Sequence, residues 1–218
     1  MKTPLLYTAV LLCLLGLSSC NDDDCFRGSR FSISESRPTS GFDGVDIRDG
    51  IDVAIYAAPY FEIVVTGDDN IVPFIDTDVR GGTLRISMDG GCYQDYDAFV
   101  EVYMPEVVYI ETRQGSDVLV EGYYGQRELT VDARGTGDVT LVGYVDELFL
   151  DKSGTGEIYG YGLETLVTYL DKKGPGDLEI LALDEIVGEM SGTGDLYYRG
   201  YPAISLEKSG AGDIINDN

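Results

Sequence analysis

Arg134-Gly135-Thr136-Gly137-Asp138-Val139 is one copy of a phrase that recurs along the second half of the chain. The other copies are Lys152-Ser153-Gly154-Thr155-Gly156-Glu157-Ile158, Lys172-Lys173-Gly174-Pro175-Gly176-Asp177-Leu178, Met190-Ser191-Gly192-Thr193-Gly194-Asp195-Leu196 and Lys208-Ser209-Gly210-Ala211-Gly212-Asp213-Ile214. Arg113-Gln114-Gly115-Ser116-Asp117-Val118 is a degenerate first copy. The acids stand at 117, 138, 157, 177, 195 and 213, so the steps are 21, 19, 20, 18 and 18 residues. A period near twenty that survives small insertions marks a solenoid.

The flanks say what each repeat is made of. Leu129 and Val131 alternate with Thr130 and Asp132 before the glycines, and Val139 and Leu141 alternate with Thr140 and Val142 after them. That is two short strands around a glycine turn. Counted back from the first glycine, offsets of six and four carry the inward residues, with Thr168 and Gly188 as small or polar exceptions. The paired glycines suit a corner that needs positive φ or close backbone approach. One repeat cannot bury its apolar face alone, so each stacks on the next. Twenty residues is too short for a four-stranded propeller blade, and the long 3.6-residue periodicity of helical repeats is missing. The fold class is all-β: a parallel β-helix with coils of about 18–21 residues and an irregular N-terminal β portion.

Stacking places the repeat-turn residues Gly135, Gly137, Asp138, Gly154, Gly156, Glu157, Gly174, Gly176, Asp177, Gly192, Gly194, Asp195, Gly210, Gly212 and Asp213 in vertical rows. The bases Arg113, Arg134, Lys152, Lys172 and Lys208 are expected to form an adjacent row that neutralises the acids at a solvated corner. A calcium ladder is the sharper alternative. Calcium-binding β-rolls, however, repeat at nine residues and offer more oxygens per turn. No metal or other cofactor is expected: the chain has no histidine and few cysteines.

Residues 1–19 read as a signal peptide, with Lys2 ahead of the apolar run Leu5–Leu17. Leu17-Ser18-Ser19-Cys20 resembles a bacterial lipobox, which makes Cys20 the expected acylation site, and several acyl chains on one residue anchor firmly. The acidic run Asn21-Asp22-Asp23-Asp24 resembles the surface-export signal of Bacteroidetes lipoproteins; a plain solvated linker is the alternative. Residues 20–40 are expected to be the acylated cysteine and a flexible tether, and residues 41–218 the β-helix domain. Cys25 and Cys92 are a candidate disulfide outside the cytoplasm.

In the N-terminal half, alternating stretches such as Val45–Ile47, Ile51–Ile55, Leu84–Met88 and Phe99–Met104 read as strands, and Asp68-Asp69-Asn70 as the cap of a short helical turn over 71–75. This half could be irregular coils of the same solenoid or a capping sheet. Solenoids need caps to hide their end strands.

The formal charge is −24, and removing residues 1–19 deletes Lys2 and no acid, leaving −25. Such a chain is a poor partner for nucleic acid or anionic membrane surfaces. Without histidine there is no Ser-His-acid or Cys-His arrangement, and no glycine-rich loop opens a helix to cradle phosphate. Carboxylates abound, but abundance is not the placed pair that a glycosidase needs. Tyr123, Tyr124, Tyr144, Tyr159, Tyr161, Tyr169, Tyr197, Tyr198 and Tyr201 cluster along the repeats. Turned outward, they would make an aromatic stripe for sugar or protein contacts; β-propensity and partial burial would account for them otherwise.

Gly41-Phe42-Asp43-Gly44-Val45-Asp46-Ile47, Gly50-Ile51-Asp52-Val53, Gly82-Thr83-Leu84-Arg85-Ile86 and the Ser-Gly-x-Gly-Asp repeats together resemble the auto-transporter adhesin head (GIN) domain of Bacteroidetes lipoproteins, over roughly residues 41–218. The resemblance implies a right-handed β-helix similar to pectate-lyase-like folds without their catalytic residues, and a role in adhesion. The expectation is therefore an outer-membrane, cell-surface lipoprotein: not an enzyme, but a binding or adhesin-like module with a glycan or protein ligand on one face. A periplasm-facing structural or envelope-stress lipoprotein is the alternative, and a polysaccharide-active enzyme a further one. The abrupt apolar stop at Ile214-Ile215 suggests a homodimer through the C-terminal coil.

Overall fold

The structure is a computed structural model and describes residues 25–218. The expected signal peptide, Cys20 and the acidic run at 21–24 lie outside the described residues. The strands are β1 (Phe26–Arg27), β2 (Ser32–Arg37), β3 (Gly44–Ile47), β4 (Asp52–Ala57), β5 (Glu62–Asp68), β6 (Ile75–Arg80), β7 (Thr83–Met88), β8 (Tyr93–Gln94), β9 (Ala98–Met104) and β10 (Tyr109–Thr112). Four long strands follow: β11 (Val118–Ala133), β12 (Val139–Lys152), β13 (Ile158–Lys172) and β14 (Leu178–Met190). The chain ends with β15 (Leu196–Arg199), β16 (Ala203–Lys208) and β17 (Ile214–Asn216).

Each long strand turns midway and serves two parallel stacks, with register shifts at the bend and positive φ at Gly122 and Gly143. Strands leaving the glycine turn form the lead-out face, in register along Val53, Val118, Val139, Ile158, Leu178, Leu196 and Ile214. Strands leading into the turn form the lead-in face, in register along Leu84, Val45, Ile110, Val131, Leu150, Leu170, Gly188 and Leu206. The two inward columns meet in one apolar core. Period-2 alternation over stacked parallel coils thus yields the β-solenoid that the repeat implies.

The N-terminal half is both coil and cap. β3 and β4 form a coil, and so do β7 and β9, but the layers are out of chain order: β3 lies between β7 and β10, and β4 between β9 and β11. The intervening chain closes the stack with antiparallel strands, β5 on β9, β2 on β5 and β6 on β7. Antiparallel closure hides the parallel edge that another chain could otherwise extend.

Two expectations need correction here. Residues 25–40 are not all tether: β2 is an ordered edge strand, and the Arg37 guanidinium donates to the carbonyls of Val72 and Ile75. Its sequence, Ser-Ile-Ser-Glu-Ser-Arg, is solvated on both faces, so it shows no alternation to read. The helical turn is a single 3-10 turn, Val72–Phe74, without a side-chain cap. Asn70 instead ties Arg27 and Ser29, and Asp68 accepts the Asp97 N–H at 3.0 Å. Cys25 and Cys92 are joined by a disulfide beside the β1–β8 ribbon, with Cα atoms 4.5 Å apart.

Candidate functional site

The repeat turns are built by close approach. A Cβ on Gly137 would run into the carbonyl oxygen of Ser116, one on Gly156 into that of Gly137, and one on Gly176 into that of Gly156; Gly194 and Gly212 continue the row. The first glycines stack likewise, Gly154 on Gly135 and Gly192 on Gly174. Coils about 4.8 Å apart leave no room for a side chain there. Positive φ is needed only at Gly174 and Gly192 among these positions.

The turn acids bond to backbone, not to a basic row. Asp52 Oδ1 accepts the N–H of Asp117 at 2.9 Å, Asp117 that of Asp138 at 2.8 Å, and Asp138 that of Glu157 at 2.8 Å. The series breaks at Glu157, whose Oε2 takes the Tyr159 hydroxyl instead. It resumes from Asp177 to Asp195 at 2.8 Å and from Asp195 to Asp213 at 2.7 Å. Each short carboxylate thus satisfies the amide of the acid one coil later.

The expected single basic row is two rows. Ile47, Thr112, Ala133, Lys152, Lys172, Met190 and Lys208 share one inward register. Lys152 and Lys172 in it are almost completely buried. Lys172 Nζ donates to Gly194 O at 2.7 Å and Lys152 Nζ to Gly154 O at 3.2 Å, so turn carbonyls solvate both ammonium groups. Burial, with Lys172 nearby, lowers the Lys152 pKa to about 8, and the field of Asp177, Glu157 and Asp138 opposes the drop. Burial also lowers Lys172. Among the described residues of this row, only Lys208 pairs with a turn acid, Asp213, at 3.1 Å.

Arg113 and Arg134 lie one residue further on and face outward. They serve a second acidic column, which sequence reasoning missed: Asp46, Glu111, Asp132, Asp151, Asp171, Glu189 and Glu207, in register on the lead-in face. A simple rule sorts its members. Where the residue two positions on is basic, an ion pair forms: Arg48–Asp46 at 2.6 Å, Arg113–Glu111 at 2.5 Å, Arg134–Asp132 and Lys173–Asp171. Arg134 also reaches Glu111 at 3.5 Å. Where that residue is serine, at Ser153, Ser191 and Ser209, the acids Asp151, Glu189 and Glu207 have no ion pair among the described residues. Burial and the neighbouring charges of Asp132 and Asp171 raise the Asp151 pKa. The signal was present as acid-x-base against acid-x-Ser.

Beside this column runs another outward register, Tyr109, Thr130, Phe149, Tyr169, Val187 and Ser205. The Phe149 and Tyr169 rings stack at 4.7 Å, 8° from parallel. Together with Thr130, Asp151, Asp171 and Val187 they line a shallow groove of about 320 Å³. The tyrosines do not form one stripe. Tyr123 is buried with its hydroxyl on Met104 O, while Tyr124 and Tyr201 are exposed. Several donate to an acid two residues away in the chain: Tyr109 to Glu111 and Tyr144 to Asp146 within a strand, and Tyr159 to Glu157 and Tyr197 to Asp195 in the preceding turn. Tyr161 sits under the Arg199 guanidinium, 3.9 Å from its ring centre. Among the described residues, no three His, Cys, Asp or Glu side chains are grouped to hold a metal ion.

A family model described as "Putative auto-transporter adhesin, head GIN domain" matches residues 41–202. Several solved structures share the fold, these three among them. A "putative adhesin" of Bacteroides fragilis is 22% identical with a TM-score of 0.70, covering 88% of this chain and 99% of that one. A "putative adhesin" of Parabacteroides merdae is 16% identical with a TM-score of 0.57, covering 88% of this chain and 100% of the other. A "putative lipid binding protein" of Parabacteroides distasonis is 15% identical with a TM-score of 0.56 and the same coverage of 88% and 100%. No curated protein sequence matches the chain.

Proposed function

The chain belongs to the "putative auto-transporter adhesin, head GIN domain" family, and on that premise we propose that it is a non-catalytic binding module whose ligand face is the lead-in face of the solenoid. In this reading, acyl chains on Cys20 hold it at the outer membrane and the β-solenoid is displayed at the cell surface. One observation carries the choice of face: the Phe149–Tyr169 pair lies in an open groove directly beside a carboxylate column, part of which is unpaired. Apolar area ringed by a few polar groups is the usual make-up of a binding patch. On the lead-out face the comparable aromatic, Tyr161, already has its partners within the chain: Tyr161, Arg199 and Asp217 bind one another.

Two measurements test the reading. Protease treatment of intact cells, with a periplasmic protein as control, should cut this chain and spare the control; protection until the outer membrane is opened would refute surface display. A glycan and matrix-protein array probed with the full chain should give ligands that Phe149→Ala and Tyr169→Ala both weaken. Ligands indifferent to both substitutions would move the site elsewhere.

A further inference from the structure

The groove around Phe149 and Tyr169 has a composition that narrows its ligand. Its apolar part comes from Phe149, Tyr169 and Val187, and its acids are Asp151 and Asp171. Asp151 is half-buried and makes no hydrogen bond or ion pair among the described residues. Asp171 gives one oxygen to Lys173, while its Oδ1 is buried without a hydrogen-bond partner. In the preceding coils the same column is neutralised by the chain's own guanidiniums, Arg113 on Glu111 and Arg134 on Asp132. At Asp151 the corresponding residue is Ser153, which carries no charge. A buried carboxylate oxygen without a partner, beside a carboxylate that has no direct ion pair and only the more distant charges of Lys173 and Arg134, is costly.

Resting on the reading that the lead-in face is the ligand face, we propose that the groove binds a Lys- or Arg-rich polypeptide segment, with the stem of one basic side chain across Phe149 and Tyr169 and its head at Asp151 and Asp171. Long basic side chains suit such a site because the methylenes pack on apolar surface while the cation reaches acceptors. A neutral sugar could donate hydroxyls to the same oxygens, but it would leave the charge uncompensated. The chain shows the same chemistry internally on the lead-out face, where Arg199 lies over the Tyr161 ring and pairs with Asp217 at 2.8 Å. Further along the column, Glu189 and Glu207 are exposed and also lack a base. From Asp151 to Glu207 is three coil steps, about 14 Å. That span gives several cationic side chains of one segment an acid each.

The test is fluorescence anisotropy of fluorescein-labelled nonaarginine against the full chain at 0.15 M salt. The citrulline counterpart and a neutral gluco-oligosaccharide serve as comparison probes. Nonaarginine should bind and its citrulline counterpart should not. Asp151→Asn should weaken binding about tenfold, the size of one charge-assisted contact. Ser153→Arg should weaken it at least as much by supplying the cation internally; Ser153 is exposed, so the core is not disturbed. Glu121→Gln removes an exposed charge from the lead-out face and should change binding less than twofold. Equal weakening by Glu121→Gln and Asp151→Asn, or equal binding of the citrulline peptide, would overturn the proposal. If only the oligosaccharide binds, and Tyr169→Ala abolishes it, the cation proposal falls and the face stands. If neither probe binds in a manner sensitive to Asp151 or Tyr169, both fall.

Discussion

Asp138 accepts the backbone N–H of Glu157 at 2.8 Å, yet Glu157 passes no such bond on to Asp177. The extra methylene carries the Glu157 carboxylate outward to Tyr159, so the ladder of turn acids is interrupted at one coil. The interruption predicts that Glu157→Asp restores the bond and stabilises the protein by about 1 kcal/mol, whereas Asp138→Ala destabilises it by about 1–2 kcal/mol through an unmet amide. Asp138→Asn keeps the acceptor and should cost less. Urea titration of the three variants checks the order; an Asp138→Ala midpoint equal to that of the parent would show that the bond contributes nothing.

The same ladder bears on calcium. The turn aspartates Asp117, Asp138, Asp177 and Asp195 each engage the next coil's amide, and no metal-holding group of acids occurs among the described residues. A chelator should therefore leave the melting temperature unchanged. A drop of several degrees on adding EDTA, reversed by calcium, would contradict this.

The stacked glycines predict a sharp contrast. Gly156→Ala forces a Cβ into the Gly137 carbonyl and should destabilise by more than about 3 kcal/mol, or prevent folding. Gly90→Ala meets open space without positive φ and should be neutral or slightly stabilising. Expression and thermal melts of the pair decide it.

How far such features could be read in advance depended on periodicity. The Gly-x-Gly-acid copies fixed the coil and its inward offsets, and Leu129, Val131, Leu148, Leu150 and Leu170 are all buried as alternation requires. Alternation continued two residues further puts Lys152 and Lys172 inward as well, against the general rarity of buried lysine. The carbonyls of the glycine turns make that burial tolerable, and those carbonyls converge only in three dimensions. The layering of β3 between β7 and β10 had no repeat to announce it, and β2 had no apolar face. The acid-x-base pairs of the lead-in face are written in the sequence, but which acids share one column follows only from the register of the stacked strands.

The disulfide gives a prediction about the N-terminal cap. Cys25 and Cys92 are 67 residues apart, and closing a loop of that size stabilises by about 4 kcal/mol in the chain-entropy model. Dithiothreitol should lower the melting temperature, and Cys25→Ser/Cys92→Ser should reproduce the reduced value and be insensitive to reductant. Equal melts with and without reductant would mean that the bridge leaves the cap's stability untouched.

Lys152 ties the interior to pH. Its folded pKa of about 8 lies below the ordinary 10.5, so between those values the unfolded chain holds a proton that the folded chain lacks. Stability must therefore rise with pH across that window, the burial penalty being fully present below pH 8. Lys172, lowered in the same direction, adds to the rise. Tyrosine works the other way. Burial pushes Tyr109 up to about 12 and Tyr123 higher, so above pH 10 the unfolded tyrosines lose protons first and stability falls. The melting temperature should accordingly climb from pH 7.5, peak between about 9 and 10, and then decline. Lys152→Met places at this coil the residue that position 190 already carries in the same column. It should stabilise the protein at pH 7 by on the order of 2–3 kcal/mol and flatten the climb without removing the decline. A parent protein whose melting temperature falls steadily from pH 7.5 would mean that Lys152 keeps its proton throughout, the turn carbonyls and nearby acids then outweighing the cost of burial.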